Sequence, residues 1–128
     1  MDLNQVTLPA VDLARSIGFY KTLGLKQIVG NSHYARFVLP KGDATLSLEK
    51  VDSIEGAQQI TLYFEVADPR AVVEKLQSQG IHLETPVISQ PWLWDEARLR
   101  DPSGNPLCIF QAGRNRRNPP WRMSDDDM

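Results

Sequence analysis

A chain of 128 residues, 41% of them hydrophobic, with a formal charge of -2 and one cysteine is sized for one compact domain, or for two small similar halves sharing a core. The near-neutral charge, with no basic stripe through the body, makes nucleic acid a poor partner, and a lone cysteine excludes an intramolecular disulfide framework and suits a reducing compartment. The chain opens without a signal-peptide pattern and no window approaches ~18 consecutive apolar residues, so the expectation is a cytoplasmic protein with no membrane partner.

Gln5 to Pro9 alternates polar and apolar residues, as a half-buried strand does, with Val6 and Leu8 on one face and Gln5 and Thr7 on the other. Pro9 ends that strand or places it at a sheet edge. Asp12 is a candidate N-cap for a helix whose apolar stripe is Leu13, Ile17, Phe19, Tyr20 and Leu23, and Gly24 supplies the stop. Three strand-like runs follow, Lys26 to Val29, Tyr34 to Leu39 and Ala44 to Lys50, divided by turns at Gly30-Asn31-Ser32 and Pro40-Lys41-Gly42-Asp43. In the third, Leu46 and Leu48 share one face and Thr45, Ser47 and Glu49 the other. Val51 to Gln58 reads as a polar linker.

The pattern then begins again. Ile60 to Val66 is a predicted strand, with Ile60, Leu62, Phe64 and Val66 opposite Thr61, Tyr63 and Glu65. Asp68 caps a second helix with Pro69 in its first turn. Val72, Val73 and Leu76 lead to Gly80, and Ile81 to Glu84 is the next expected strand. Pro86 to Asp95 reads as a Pro- and Trp-rich loop, Ala97 to Arg100 as a strand, and Pro106 to Gln111 as the last. Asp12 precedes Gly24 by twelve residues, and Asp68 precedes Gly80 by the same interval. The chain is thus read as an α+β fold of two tandem βαβββ units, an internal repeat that outweighs any single motif. In an open, eight-stranded, barrel-like sheet, the faces turned away from the helices would curl around a cavity. The expected organisation is one domain over residues 1–112, with units at about 3–50 and 59–112. A tail, 113–128, is rich in Arg, Pro and Trp and then acidic. It reads either as an extended terminus or as a segment anchored by Trp121.

Between the last two strands lies Asp101-Pro102-Ser103-Gly104-Asn105, a tight turn in which Pro102 presets φ and Gly104 tolerates positive φ. This turn, the segment Asp12 to Leu25 and the tandem units together resemble the vicinal oxygen chelate superfamily, which includes glyoxalase I, bleomycin-resistance proteins and extradiol dioxygenases. The resemblance covers residues of about 3 to 112. In that superfamily four positions, two per unit, ligate a divalent metal. By position they fall here on Gln5, on Ser47 (or Glu49, two residues on), on Thr61 and on Cys108. An amide, two hydroxyls and one thiol do not make the donor set that zinc or a harder ion takes, so the metal site is expected to be lost and no cofactor is expected. A divalent metal held through Gln5, Glu49 and unplaced groups is the alternative.

Alternation places Gln5, Thr7, Ser47, Glu49, Thr61, Tyr63, Glu65, Arg98, Cys108 and Phe110 on the inner faces, with Tyr34 and Arg36 beside them. Polar groups there either pair with one another, Glu65 or Glu49 with Arg98 or Arg36, or orient a ligand. Trp92 and Trp94 either pack on the rim or wall the site and stack on a planar or cationic ligand, with Arg98 and Arg100 nearby for an anionic group. Cys108 is either a small buried apolar residue or a nucleophile. His33 and His82 are not placed to activate it and are expected to be exposed. The reading that follows is a small-molecule-binding protein without metal. The alternatives are a metal-dependent lyase, isomerase or dioxygenase, and an interaction module using the Trp loop and tail. A small organic ligand is the expected partner, and the resemblance adds a homodimer.

Overall fold

The computed structural model describes residues 2–55 and 60–124. Residues 56–58 of the expected linker and the acidic Asp125, Asp126 and Asp127 lie outside the described residues. The architecture is α+β, with two helices and two four-stranded mixed sheets in βαβββ order twice over. The chain divides into two compact units. One comprises Met1–Thr61 and Arg100–Pro106, the other Leu62–Leu99 and Leu107–Met128.

In the first unit, β1 (Gln5–Ala10), α1 (Leu13–Thr22), β2 (Lys26–Gly30), β3 (Tyr34–Val38) and β4 (Thr45–Lys50) give a sheet of order β1-β4-β3-β2. β1 runs parallel to β4, with Thr7 opposite Ser47, and lies at the sheet edge. That is why the strand tolerates Pro9, which has no N–H to give to a second neighbour. Asp12 caps α1 by accepting from the Arg15 N–H at 3.1 Å. Gly24, at φ +99°, ends it in a conformation that would strain any residue with a Cβ. Tyr20 of α1 packs against Phe37 at 6.1 Å between ring centroids. The helix therefore covers the face bearing Ala35, Phe37, Leu46 and Leu48, all buried, and leaves Tyr34, Arg36 and Ser47 on the opposite face.

The Asp101–Asn105 turn belongs to this first unit although it is far along the chain. Asp101 Oδ1 accepts from the Ser103 and Asn105 N–H groups at 3.0 and 2.9 Å. Its Oδ2 accepts from the Tyr20 hydroxyl and from Asn105 Nδ2, both at 2.7 Å. Asn105 Nδ2 also reaches the Pro9 carbonyl at 3.0 Å, and the Val11 N–H donates to Ser103 Oγ at 2.9 Å. Burial and the Asp101 carboxylate push the Tyr20 phenol far above its ordinary range, so Tyr20 stays a donor.

The second sheet is built of β5 (Leu62–Glu65), β6 (Ile88–Ser89), β7 (Asp95–Arg100) and β8 (Pro106–Gln111), with α2 (Pro69–Ser78) after β5, in sheet order β5-β8-β7-β6; all but the end residues Arg100 and Pro106 belong to the second unit. Asp68 caps α2 through the Ala71 N–H, with Pro69 in the first turn. Three expected boundaries are corrected. The strand predicted from Ile60 begins at Leu62, opposite Leu107 of β8; the residue before Leu107 is Pro106, which cannot donate, and Ile60 is 71% exposed. Ile81 to Glu84 is not a strand. There the Glu84 and Thr85 N–H groups both reach the Arg98 carbonyl, and Thr85 Oγ1 takes the Arg98 N–H, so side-chain bonding replaces a ladder. The fourth strand is instead Ile88–Ser89, inside the predicted loop, paired with Asp95 and Glu96. That pairing starts β7 two residues earlier than its sequence suggested.

Candidate functional site

The predicted site residues divide between the units. On the helix-free face of the first sheet, Ser47 is wholly buried, and its hydroxyl shares a 2.5 Å hydrogen bond with the Tyr34 hydroxyl. Arg36, opposite Ser47 in the β3–β4 register, donates from Nε to the Tyr34 hydroxyl at 2.9 Å. Its guanidinium carbon lies 5.4 Å from the centroid of the Tyr34 ring. The Ser47 hydrogen bond and the Arg36 guanidinium lower the Tyr34 pKa, since both favour the phenolate. Gln5 and Thr7 are exposed on β1, and Gln5 Oε1 accepts from Thr45 Oγ1 at 2.9 Å. Glu49 is exposed, opposite Tyr34. Thr61 is half-buried just outside β5.

In the second unit Tyr63 lies opposite Cys108 across β5 and β8. Phe110, buried, stacks on Trp94 at 4.8 Å and meets Tyr63 edge-on at 5.6 Å. Arg98 sits 5.4 Å over the Tyr63 ring and donates to the Tyr63 hydroxyl and to Glu96 Oε1, both at 3.3 Å. The Cys108 thiol, fully buried, donates to Glu96 Oε2 at 3.7 Å. Burial first, and then the Glu96 charge, push that thiol up to about 12. Near neutral pH it is a protonated, packed group and not a nucleophile.

Glu96 is the member of this cluster that the sequence reading missed. It is 4% exposed and two residues before Arg98, so strand alternation from Arg98 would have found it had the strand been started early enough. Two other expectations are corrected here. Glu65 does not pair with Arg98; it accepts from the Ala112 and Gly113 N–H groups at 2.8 Å each, capping a 3-10 turn at Gly113–Asn115, and lies 3.7 Å from Arg116. The two indoles of the loop also differ. Trp94 is packed, with Nε1 donating to the Asn115 carbonyl at 3.4 Å, whereas Trp92 is 41% exposed. Trp121 in the tail is exposed.

The four positions matched to metal ligands do not fit a metal. Gln5 and Ser47 are engaged by neighbouring hydroxyls, Thr61 offers a hydroxyl, and Cys108 a protonated thiol. Glu96 adds one carboxylate beside Cys108, and among the described residues no group of three or more His, Cys, Asp or Glu side chains is placed to hold an ion. A surface groove of about 590 Å³ runs along β2 beside Lys21 and Leu25 and touches none of the predicted residues. Among the described residues no helix is long and apolar enough to cross a membrane.

Residues 2–109 match the model of the Glyoxalase/Bleomycin resistance protein/Dioxygenase superfamily. No curated protein matches the chain in sequence. Solved structures do. A glyoxalase/bleomycin resistance protein/dioxygenase from Nocardioides superposes with a TM-score of 0.74 at 21% identity, over 97% of this chain and 90% of that one. A bleomycin-binding protein complexed with bleomycin gives 0.69 at 22% identity, over 87% and 98%. A lactoylglutathione lyase from Agrobacterium tumefaciens gives 0.71 at 19% identity, over 86% and 92%. At these identities the likeness is one of fold.

Proposed function

Because the chain belongs to the glyoxalase/bleomycin resistance protein/dioxygenase superfamily, we propose that it binds a small organic molecule on the helix-free sheet faces and does so without a metal. The observation that carries this reading is a set of oriented polar and aromatic groups on these faces: Tyr34, Arg36 and Ser47 in one unit, Tyr63, Trp94, Arg98 and Phe110 in the other. Such a mixture of a few fixed polar contacts with aromatic walls is the common make-up of a small-molecule site. The bleomycin-binding relative supports binding as a task this fold performs, and the lyase shows that fold alone does not choose between binding and catalysis. Gln5, Thr7, Glu49 and Thr61 are assigned the margin of the first unit's surface.

The test is a thermal-shift and calorimetry panel of aromatic, peptide-like and carboxylate compounds together with bleomycin, run with and without chelator. A ligand at ~100 times its Kd stabilises by about 2.7 kcal/mol, enough to raise Tm by several degrees. Binding that survives the chelator is the expected outcome. A panel in which nothing stabilises the protein overturns the reading, and a stoichiometric, tightly held zinc, nickel, manganese or iron ion overturns its metal-free part.

A second reading, an interaction surface, rests on the β6–β7 hairpin. The Leu93 N–H closes onto the Gln90 carbonyl at 3.0 Å, and Leu93 sits at φ +68°, where glycine is the usual residue. The tip holds Trp92 and Leu93, 41% and 48% exposed. A Trp92→Ala, Leu93→Gly double variant is expected to leave ligand binding intact. A change in solution mass from dimer to monomer by light scattering would assign this tip to self-association.

A further inference from the structure

Arg36 combines three features. Its backbone neighbours Ala35 and Phe37 are fully buried on the helix-covered face, so its side chain leaves the strand on the other face. Its Nε edge is consumed by the Tyr34 hydroxyl at 2.9 Å, and the Tyr34 ring lies beneath the guanidinium. Tyr34 is in turn held by buried Ser47. The rotamer entropy of a long cation is therefore already surrendered in the free protein. Its terminal Nη groups make no hydrogen bond or ion pair among the described residues. Glu49, the nearest acidic residue in the register, forms no ion pair with it.

The other half-buried arginine over a tyrosine, Arg98, carries the same stacking geometry but has spent its charge on Glu96. A guanidinium fixed along one edge, stacked on a phenol and left with two free amino groups presents a planar pair of donors. That is the geometry a carboxylate accepts bidentately.

We propose that Arg36, positioned by the Tyr34–Ser47 pair, is the anchor for the carboxylate head of a small organic acid on the first unit's sheet face. This rests on the small-molecule-binding reading and specifies its ligand class. The Nη1 and Nη2 groups grip the two carboxylate oxygens, while the ligand's organic body lies along the face beside Gln5 and Thr7, the exposed polar residues of β1. Tyr34 and Ser47 are positioning residues in this scheme, and they do not touch the carboxylate.

The experiment titrates the 128-residue chain with benzoate, phenyl phosphate and benzylamine by calorimetry. Benzoate is expected to bind, phenyl phosphate more weakly and benzylamine not at all. Arg36→Ala should weaken benzoate at least tenfold, and Arg36→Lys nearly as much, because lysine keeps the charge and loses the fork. Tyr34→Phe should weaken it a few-fold. Arg15→Ala, which removes an equal charge from the exposed side of α1, should leave it unchanged. A second readout is the Tyr34 phenol: neutralising Arg36 with benzoate should raise its ultraviolet titration midpoint, a shift absent in Tyr34→Phe. Equal binding of benzoate and benzylamine, benzoate binding untouched by Arg36→Ala, or phenyl phosphate binding tighter than benzoate each overturns the inference. If bleomycin or a neutral aromatic binds and benzoate does not, the carboxylate anchor fails while the binding function stands. If nothing in either panel binds, both fail.

Discussion

Arg36 on β3 and Arg98 on β7 both lean on a tyrosine, with the guanidinium carbon 5.4 Å from the ring centroid in each case. Their surroundings differ. Around Arg36 the face is built of hydroxyls, Tyr34 and Ser47, with no ion pair among the described residues. Around Arg98 it is built of a buried carboxylate and a stacked aromatic group, with Cys108, Phe110, Ala112 and Trp94 in one packed cluster. One repeat thus keeps a polar, hydrogen-bonded surface, and the other fills the corresponding strands with rings. The repeat fixes backbone positions and leaves side-chain chemistry free. Two copies of one supersecondary unit can therefore carry different side-chain chemistry on equivalent strands, hydroxyls around one arginine and packed rings around the other.

The sharpest way to break that comparison is to truncate each face in turn. Phe110→Ala should lose about 3–5 kcal/mol in urea unfolding, as removal of a buried aromatic does, while Ser47→Ala should lose only about 1 kcal/mol, the worth of one hydrogen bond. Similar losses at both sites would end the distinction.

Asp101→Ala comes next. It strands the Tyr20 hydroxyl and the Asn105 amide in a buried setting and should lose about 2–4 kcal/mol.

Smaller still is the effect of pH through Cys108. Burial, and after it the Glu96 carboxylate, push its thiol up to about 12, so the folded state favours the protonated form. The stability this gives is fully present below pH ~9 and lost as pH climbs from there towards ~12. Between pH 8 and 10 the wild type should lose about 1 kcal/mol relative to Cys108→Ala. A native-state thiol reagent at pH 8 should react roughly a thousandfold more slowly than with the unfolded chain. Glu96→Gln should speed that labelling several-fold, because the charge that helps hold the proton on sulfur is gone.

Least of all, Leu93→Gly should raise stability by about 0.5–1 kcal/mol by relieving a left-handed leucine whose side chain is half exposed. A loss there would mean that the Leu93 side chain packs more than its exposure suggests.

Both helices, with Asp12 and Asp68 as caps, were legible, because capping and helical periodicity are local signals. The strands of the first unit were legible for the same reason. The second unit was less so. Ile81 to Glu84 has strand-like composition, yet a side-chain bond from Thr85 to Arg98 displaces the ladder to Ile88–Ser89. Of the candidate site, Tyr63, Trp94, Arg98, Cys108 and Phe110 do gather together. Glu96 lies before the apolar run that marks β7 in the sequence, and the partners of Glu65 lie in the segment after β8, where no local pattern announces them.

By itself, the sequence determined the repeat, the two caps, the glycine stops and the family, since all of these are written in short-range spacing. The Asp101–Asn105 turn could be recognised as a turn from its residues alone. That its carboxylate would bond a tyrosine 81 residues earlier and its asparagine a carbonyl 96 residues earlier was decided only by tertiary structure. So was the different fate of two similar arginines. A side chain's partners depend on which strands lie beside it, and a contact between distant residues leaves no periodic trace in either segment.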